Sequence, residues 1–299
     1  MRQSSFPPES LRPDLHTHSS FSDGLYAPGE LCAMAVAAGV THIALCDHDT
    51  LAGLAPMEQA VAAHNAAVAD NPGASGPLAF LPSVEISAGP GGKTHILGYG
   101  AKPEHAELAS RLAAARERRR ERFVEMLRLL AAMGIHVPPE QCPPLGGQLP
   151  AGRAHLARAL VATGTVSTVD QAFTRFLAEG KPAYVPYDHI NAVEAVALVR
   201  RAGCIPVLAH PFRLSLSQEA LFALISALAG EGLMGLEVFH PSASRRNIRA
   251  LAPFARRAGL LLTGGSDFHG DLHAQSRLGV FPSGWSEEDI HAFLVRAAQ

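Results

Sequence analysis

The histidines and carboxylates of this chain gather where its short apolar runs stop, and that placement restricts the architecture more than any other feature. Strand-length runs rich in branched residues recur at Pro13–His16, His42–Cys46, Leu78–Ile86, Thr94–Tyr99, Ile205–Ala209, Gly235–Phe239 and Leu260–Thr263. Helical patterns separate most of them: Pro28–Gly39, Leu51–Ala67, Asn191–Gly203, Gln218–Gly230, Ser244–Gly259 and Ser286–Ala298. The first opens on proline and stops at glycine, as helices prefer. Strands alternating with helices indicate βα units and a mainly parallel sheet. In a barrel of that kind the strand ends share one face, where active sites sit.

The ends carry a repeated chemistry. The first run closes on Asp14, His16 and His18, with Asp23 just beyond; the second closes on Asp47, His48 and Asp49. Glu85 and His95 follow on the next two, then His210, then Glu237 with His240, and finally Asp267 with His269. Carboxylates crowded in one cleft repel, and each is costly to desolvate. Divalent cations remove that conflict. A donor set of imidazole and carboxylate without thiolate suits Mn²⁺, with Zn²⁺ or Fe²⁺ as alternatives. His16 and His18, two apart on a strand, face the same side. The remaining histidines (His42, His64, His105, His136, His189, His273, His291) lie off this pattern and are expected to be structural.

The βα rhythm breaks between Lys102 and His189. Glu104–Met133 reads as one long helix with arginines at 116, 118, 119, 120 and 122, and Gly152–Gly164 and Asp170–Gly180 as shorter ones. The expected organisation is a barrel of residues 1–101 and 190–299 with an all-helical insertion at 102–189. Stretches Asp70–Pro77 and Val137–Pro150 read as loops.

Several classes are excluded. Net charge is −2 and 47% of residues are apolar, so neither a generally basic nucleic-acid surface nor a disordered chain fits. No run is long and apolar enough for a membrane span, and the first residues lack the apolar core of a secretory leader. A cytoplasmic location follows as the expectation, with Cys32, Cys46, Cys142 and Cys204 as buried small hydrophobes rather than disulfides. Ser87–Thr94 mimics a phosphate-binding loop but lacks its first glycine and leads into a strand; it reads as a hairpin tip. No nucleotide-cofactor fingerprint or serine-nucleophile elbow is present.

These segments resemble the PHP (polymerase and histidinol phosphatase) family of metal-dependent phosphoesterases. The resemblance rests on DLHTHSSFSDG, ALCDHDT, PSVEIS, THILGYG, VLAHP and GSDFHG, in the family's order. It implies an α/β fold, a distorted (β/α)7 TIM-like barrel with an all-helical insertion domain. It also implies two or three divalent metals. One would be held by His16, His18, Glu85 and Asp267, a second by Asp23, His48 and His269, and a third by Glu85, His95 and His210. Some members carry His where this chain has Asp23, which exchanges a neutral ligand for an anion. The insertion is similar to that of the TrpH-like subgroup, which includes 3′,5′-nucleoside bisphosphate phosphatases and the ribonuclease AM-like enzymes. Its R-x-H-x-A-R element corresponds to Arg153, His155 and Arg158, and Arg213 follows Ala-His-Pro as in relatives.

The resemblance implies hydrolysis of a phosphomonoester, with a metal-bridging hydroxide attacking phosphorus and His210 or His240 assisting the leaving group. Arg119, Arg153, His155 and Arg213 are the expected substrate-binding residues, since guanidinium groups grip phosphate bidentately. A small phosphorylated nucleotide is the expected partner, with no membrane or protein partner indicated. Three alternatives stay open: 5′-to-3′ cleavage of short RNA, histidinol-phosphate hydrolysis, and a non-catalytic PHP scaffold.

Overall fold

The computed structural model describes residues 11–70, 76–142, 151–187, 189–270 and 276–299. Seven strands form one sheet in chain order: β1 (Pro13–Thr17), β2 (His42–Leu45), β3 (Ala79–Ala88), β4 (Thr94–Tyr99), β5 (Ile205–Leu208), β6 (Gly235–Phe239) and β7 (Leu261–Gly264). The sheet nearly closes into a barrel. Beyond β7, Thr17 bridges Phe268 in parallel, and the Asp267 N–H donates to the His16 carbonyl at 2.8 Å. Gly265 permits this seam, because a Cβ there would lie 2.4 Å from that of His16.

The sheet is mainly parallel, with one reversal. β4 runs antiparallel to both β3 and β5. Its link to β3 is the 3-10 turn Pro90–Gly92, far too short for a parallel crossover, which needs a dozen residues or more. His95 therefore stands at the start of its strand, not the end. It still reaches the common rim, because the strand runs the other way.

Helices flank the sheet where expected: α1 (Pro28–Ala37), α2 (Leu54–Asp70), α6 (Ala192–Arg201), α7 (Gln218–Gly230), α8 (Arg245–Arg257) and α9 (Glu287–Ala297). Asn191, Ser217, Ser244 and Ser286 cap the last four by accepting a backbone N–H of the first turn. Alternate strand residues such as Ile43, Leu45, Val84, Ile86, Leu236 and Val238 pack outward against these helices. The other face fills the barrel with Leu15, Ala44, Cys46, Leu97, Tyr99 and Val207, and Phe293 of α9 joins them. A register shift between Asp14 and Thr17 breaks strict alternation. Leu15 can thus fill the interior while His16 reaches the rim cluster.

Between β4 and α6 lie α3 (Ala106–Ala132), α4 (Arg153–Ala162) and α5 (Val169–Ala172), the last continued by a π turn, Phe173–Leu177. No strand occurs among the described residues of this span. Its own core joins Phe123, Met126 and Leu130 of α3 to Leu156, Leu160, Ala172 and Leu177. α3 is about 40 Å long at ~1.5 Å per residue. It starts at the bottom of the barrel, where Glu107 pairs with Arg201, and Leu108 and Leu112 belong to the barrel's core.

The four cysteines are buried and free. Among the described residues, no helix is long and apolar enough to cross a membrane. The N-terminal segment 1–10, His273, and parts of both expected loops (71–75 and 143–150) fall outside the described residues.

Candidate metal centre and its cavity

The rim brings the expected ligands together. The ligand atoms of His16, His18, Glu85 and Asp267 lie within 4.8 Å of one another, as do those of His18, Asp23, His48 and His269, and those of His48, Glu85 and His95. Glu85 is central. Its Oε2 faces His48 Nδ1 at 3.1 Å, His18 Nε2 at 3.2 Å and His16 Nε2 at 3.4 Å. Its Oε1 faces His95 Nδ1 at 2.7 Å and His210 Nε2 at 3.1 Å.

Tautomers fixed from outside show what this cluster lacks. His16 Nδ1 donates to Glu237 Oε1 at 2.9 Å, so its Nε2 turns a lone pair toward Glu85 and Asp267. His95 Nε2 donates to the Gly92 carbonyl at 3.0 Å, so its Nδ1 lone pair faces Glu85. His269 Nδ1 donates to the Asp267 carbonyl at 2.8 Å, so its Nε2 faces Asp23 Oδ1 at 3.2 Å. In their neutral forms these imidazoles thus turn lone pairs toward carboxylate oxygens, an arrangement that a proton or a divalent cation between them relieves; at His16, Glu237, Glu85 and Asp267 favour the proton against burial. Five buried atoms here have no hydrogen-bond partner: His18 Nδ1, Asp23 Oδ1, His48 Nδ1, Glu85 Oε2 and His210 Nδ1.

The electrostatics agree. Burial opposes charge on Glu85, yet the imidazoles of His95, His48 and His16 hold its carboxyl well below the usual range. Burial likewise opposes a proton on His18, but Asp267 and Glu85 lift its pKa to about 10. Burial, only partly offset by Glu85, drops His210 to about 4. Protons alone therefore cannot satisfy the whole cluster, whereas divalent ions accept both imidazole and carboxylate. The donor set fits metal.

Above the cluster opens a cavity of about 210 Å³. Its floor is formed by Asp23, His48, Glu85, His95, His210, Asp267 and His269, with Arg213 at the edge. The opposite wall comes from the helical span: Arg119, Arg122 and Arg153, with Phe173 beside them. Arg119 donates from Nε to Asp49 Oδ2 at 2.6 Å and from its Nη2 to Ser87. Arg122 donates to the Val185 carbonyl at 2.8 Å, and its buried Nη2 has no partner. Burial, then the neighbouring Arg153 and Arg119, lowers its pKa to about 10. Arg153 lies 5.8 Å from the Phe173 ring and 6.0 Å from that of Tyr184. No carboxylate pairs with Arg122 or Arg153 among the described residues.

Two expected site residues point elsewhere. His155 accepts the Gly152 N–H at Nδ1 and donates from Nε2 to the Ser22 carbonyl at 2.9 Å, and it does not line the cavity. His240 accepts the Ser242 N–H at Nδ1, so Nε2 donates to Asp267 Oδ2 at 3.3 Å. Arg213 reaches the same oxygen at 2.7 Å. Glu237, a charged residue inside an apolar strand, joins the site without a role assigned from the sequence. Of Arg116, Arg119 and Arg122, which recur at i, i+3 and i+6 along one helix face, the last two line the cavity. His189, set aside as structural, lines the cavity, with its pKa lowered to about 2 by burial and by Arg119, His95 and Arg122.

A barrel whose rim gathers metal-fitting donors beneath a guanidinium wall has the composition of a metal-dependent phosphoesterase, and known proteins agree. A 3′,5′-nucleoside bisphosphate phosphatase from Chromobacterium violaceum is 35% identical over 267 residues, 86% of each chain. A 5′-3′ exoribonuclease from Haemophilus influenzae is 33% identical over 276 residues, 92% of each chain. Among solved structures, an amidohydrolase from Chromobacterium violaceum with bound sulfate and no metal superposes with a TM-score of 0.80. It is 32% identical, with 91% of this chain and 92% of that one covered. A Bifidobacterium adolescentis protein, named for an inferred metal-dependent phosphoesterase activity, gives 0.80 at 29% identity over 95% of each chain. The PHP domain pattern matches residues 14–97. The chain belongs to the PHP family, and it is a hydrolase of phosphoric esters.

Proposed function

We propose that this enzyme removes one phosphate from a small nucleotide that carries a second, most simply the 3′-phosphate of a nucleoside 3′,5′-bisphosphate. The observation that carries this reading is the cation wall. The floor serves the scissile phosphate, while Arg122 and Arg153 face the cavity without a carboxylate partner. A second anion offsets that positive charge. The bisphosphate phosphatase among the relatives supports the same substrate class.

We assign the ions, Mn²⁺ first among candidates, to His16, His18, Glu85 and Asp267, to Asp23, His48 and His269, and to Glu85, His95 and His210. Divalent ions there supply Lewis acidity toward phosphate oxygens and an acidified water. The chain's own groups do the rest. Arg213, half-exposed beside Asp267, orients the phosphate from the cavity edge. Arg153 and Arg122 bind the remote phosphate, while Arg119 closes the wall from its anchor on Asp49. His210 lines the cavity and is the better placed of the two expected catalytic histidines. His240, committed to Asp267, holds that carboxylate. Residues 102–189 serve as the insertion domain that bears the wall.

Arg153→Ala tests the reading. Losing a charge-assisted hydrogen bond worth ~1.5–3 kcal/mol should lower kcat/KM for adenosine 3′,5′-bisphosphate about ten- to a hundredfold. Hydrolysis of p-nitrophenyl phosphate, which leaves the remote site empty, should stay within about threefold. Equal losses on both substrates overturn the assignment. A wild-type preference for short 5′-phosphorylated RNA moves the exoribonuclease reading ahead.

A further inference from the structure

One turn of α4 does two things. Arg153 faces the cavity, whereas His155 and Arg158, three residues apart and so on one helical face, reach the barrel. His155 donates to the Ser22 carbonyl at 2.9 Å and Arg158 to the Asp23 carbonyl at 2.6 Å. These consecutive carbonyls belong to the loop that presents Asp23. The neighbouring loop is held in the same manner from α3. Arg116 donates to the Asp49 carbonyl at 3.1 Å and Arg119 to its carboxylate at 2.6 Å, one residue beyond His48. Asp49 itself turns the chain with φ of +52°, the left-handed region that aspartate enters more readily than most side chains. The inner group, His16, His18, Glu85 and Asp267, has no such contact with α3 or α4. Its supports come from the barrel and its loops: Glu237 on β6, and His240 and Arg213 on Asp267.

We propose that α3 and α4 are part of the metal-binding apparatus. By clamping the Ser22–Asp23 and Asp49 backbones they hold the outer cation position of Asp23, His48 and His269, and they reach the inner position only indirectly, through the Asp49 N–H that donates to the Glu85 carbonyl at 2.9 Å. His155 and Arg158 are positioning residues for Asp23. Coupling is reciprocal, so an ion at the outer position also tightens the docking of α4 on the barrel. The inference rests on the ligand assignment above and adds a residue-level cause for site-selective occupancy.

The experiment titrates Mn²⁺ into the metal-free full chain by calorimetry, with His155→Phe/Arg158→Met as the variant and circular dichroism as the fold check. Wild type should show more than one class of ion. In the variant one class should weaken ten- to a hundredfold, the usual effect of losing support behind a ligand, with the others within threefold. Unchanged affinity for every ion, or equal weakening of all, overturns the proposal. Failure of the wild type to bind Mn²⁺ instead overturns the ligand assignment itself. Should the double variant misfold, hydrogen exchange on intact protein decides. α4 amides should slow on adding Mn²⁺ to wild type and not to Asp23→Asn; equal behaviour in the two chains, or no slowing in either, overturns it.

Discussion

Replacing Glu85 by glutamine should be among the most damaging isosteric changes available to this enzyme. The side chain is fully buried, and its two oxygens face five imidazole nitrogens between 2.7 and 3.4 Å away. Glutamine keeps the shape and one carbonyl oxygen, but it removes a full negative charge, and its NH₂ cannot ligate a cation and would instead donate to the imidazole lone pairs that a cation needs. Two unit charges about 4 Å apart interact by ~4 kcal/mol at an effective dielectric of ~20. If that stabilisation is lost where the scissile phosphate reacts, kcat falls by about 10³ at ~1.4 kcal/mol per decade. The assay compares wild type and Glu85→Gln on one phosphomonoester at saturating Mn²⁺, with chelated wild type as the zero. Bound metal is counted by emission spectroscopy and fold is checked by circular dichroism. A folded variant within threefold of wild-type kcat would refute the reasoning, because Glu85 would then be neither ligand nor charge partner.

Two further outcomes follow from the packing around the centre. Glu237→Gln should keep the strand but weaken Mn²⁺ binding about ten- to a hundredfold, since its carboxylate fixes the His16 tautomer and holds the His210 backbone N–H at 2.8 Å; competition against a fluorescent chelator measures this, and an unchanged affinity rejects the role. Phe123→Ala, at a site 1% exposed in the second core, should cost about 3–5 kcal/mol in urea unfolding; a loss below ~1 kcal/mol would mean that core is loosely packed.

The barrel was readable because its signals repeat. Every strand-length run but Thr94–Tyr99 leads into chemistry at its end, and the hairpin tip at Ser87–Thr94 accounts for the exception, since a strand that reverses there carries His95 at its start. The insertion was legible as helix but not as surface. Helical periodicity alone separates Arg153 from His155 by about 200°, at ~100° per residue, and sets His155 beside Arg158. The R-x-H-x-A-R element therefore could not present all its members to one phosphate. Arg116 and Arg119 were similarly ambiguous, because only tertiary packing puts Asp49 within their reach. His189 had no local signal. It arrives beside the cavity through the return of the chain after the π turn, where a Cβ on Gly92 would meet its ring.

The long helix α3 has a consequence for how such an enzyme can diversify. Its first turns are rooted among barrel side chains through Leu108 and Leu112, its middle meets the rim at Arg116 and Arg119, and its last turns carry Phe123, Met126 and Leu130 into a separate core. Grafting a different insertion at the sequence boundary near Lys102 would tear out part of the apolar layer between the barrel and its helices. Grafting above Arg122 would leave both the barrel and the Asp49 clamp untouched. On the proposed function, the natural splice point thus lies partway along a continuous helix rather than in a loop: an exchange there replaces Arg153 and Phe173 of the cavity wall and keeps Arg119, Arg122 and the metal-fitting floor.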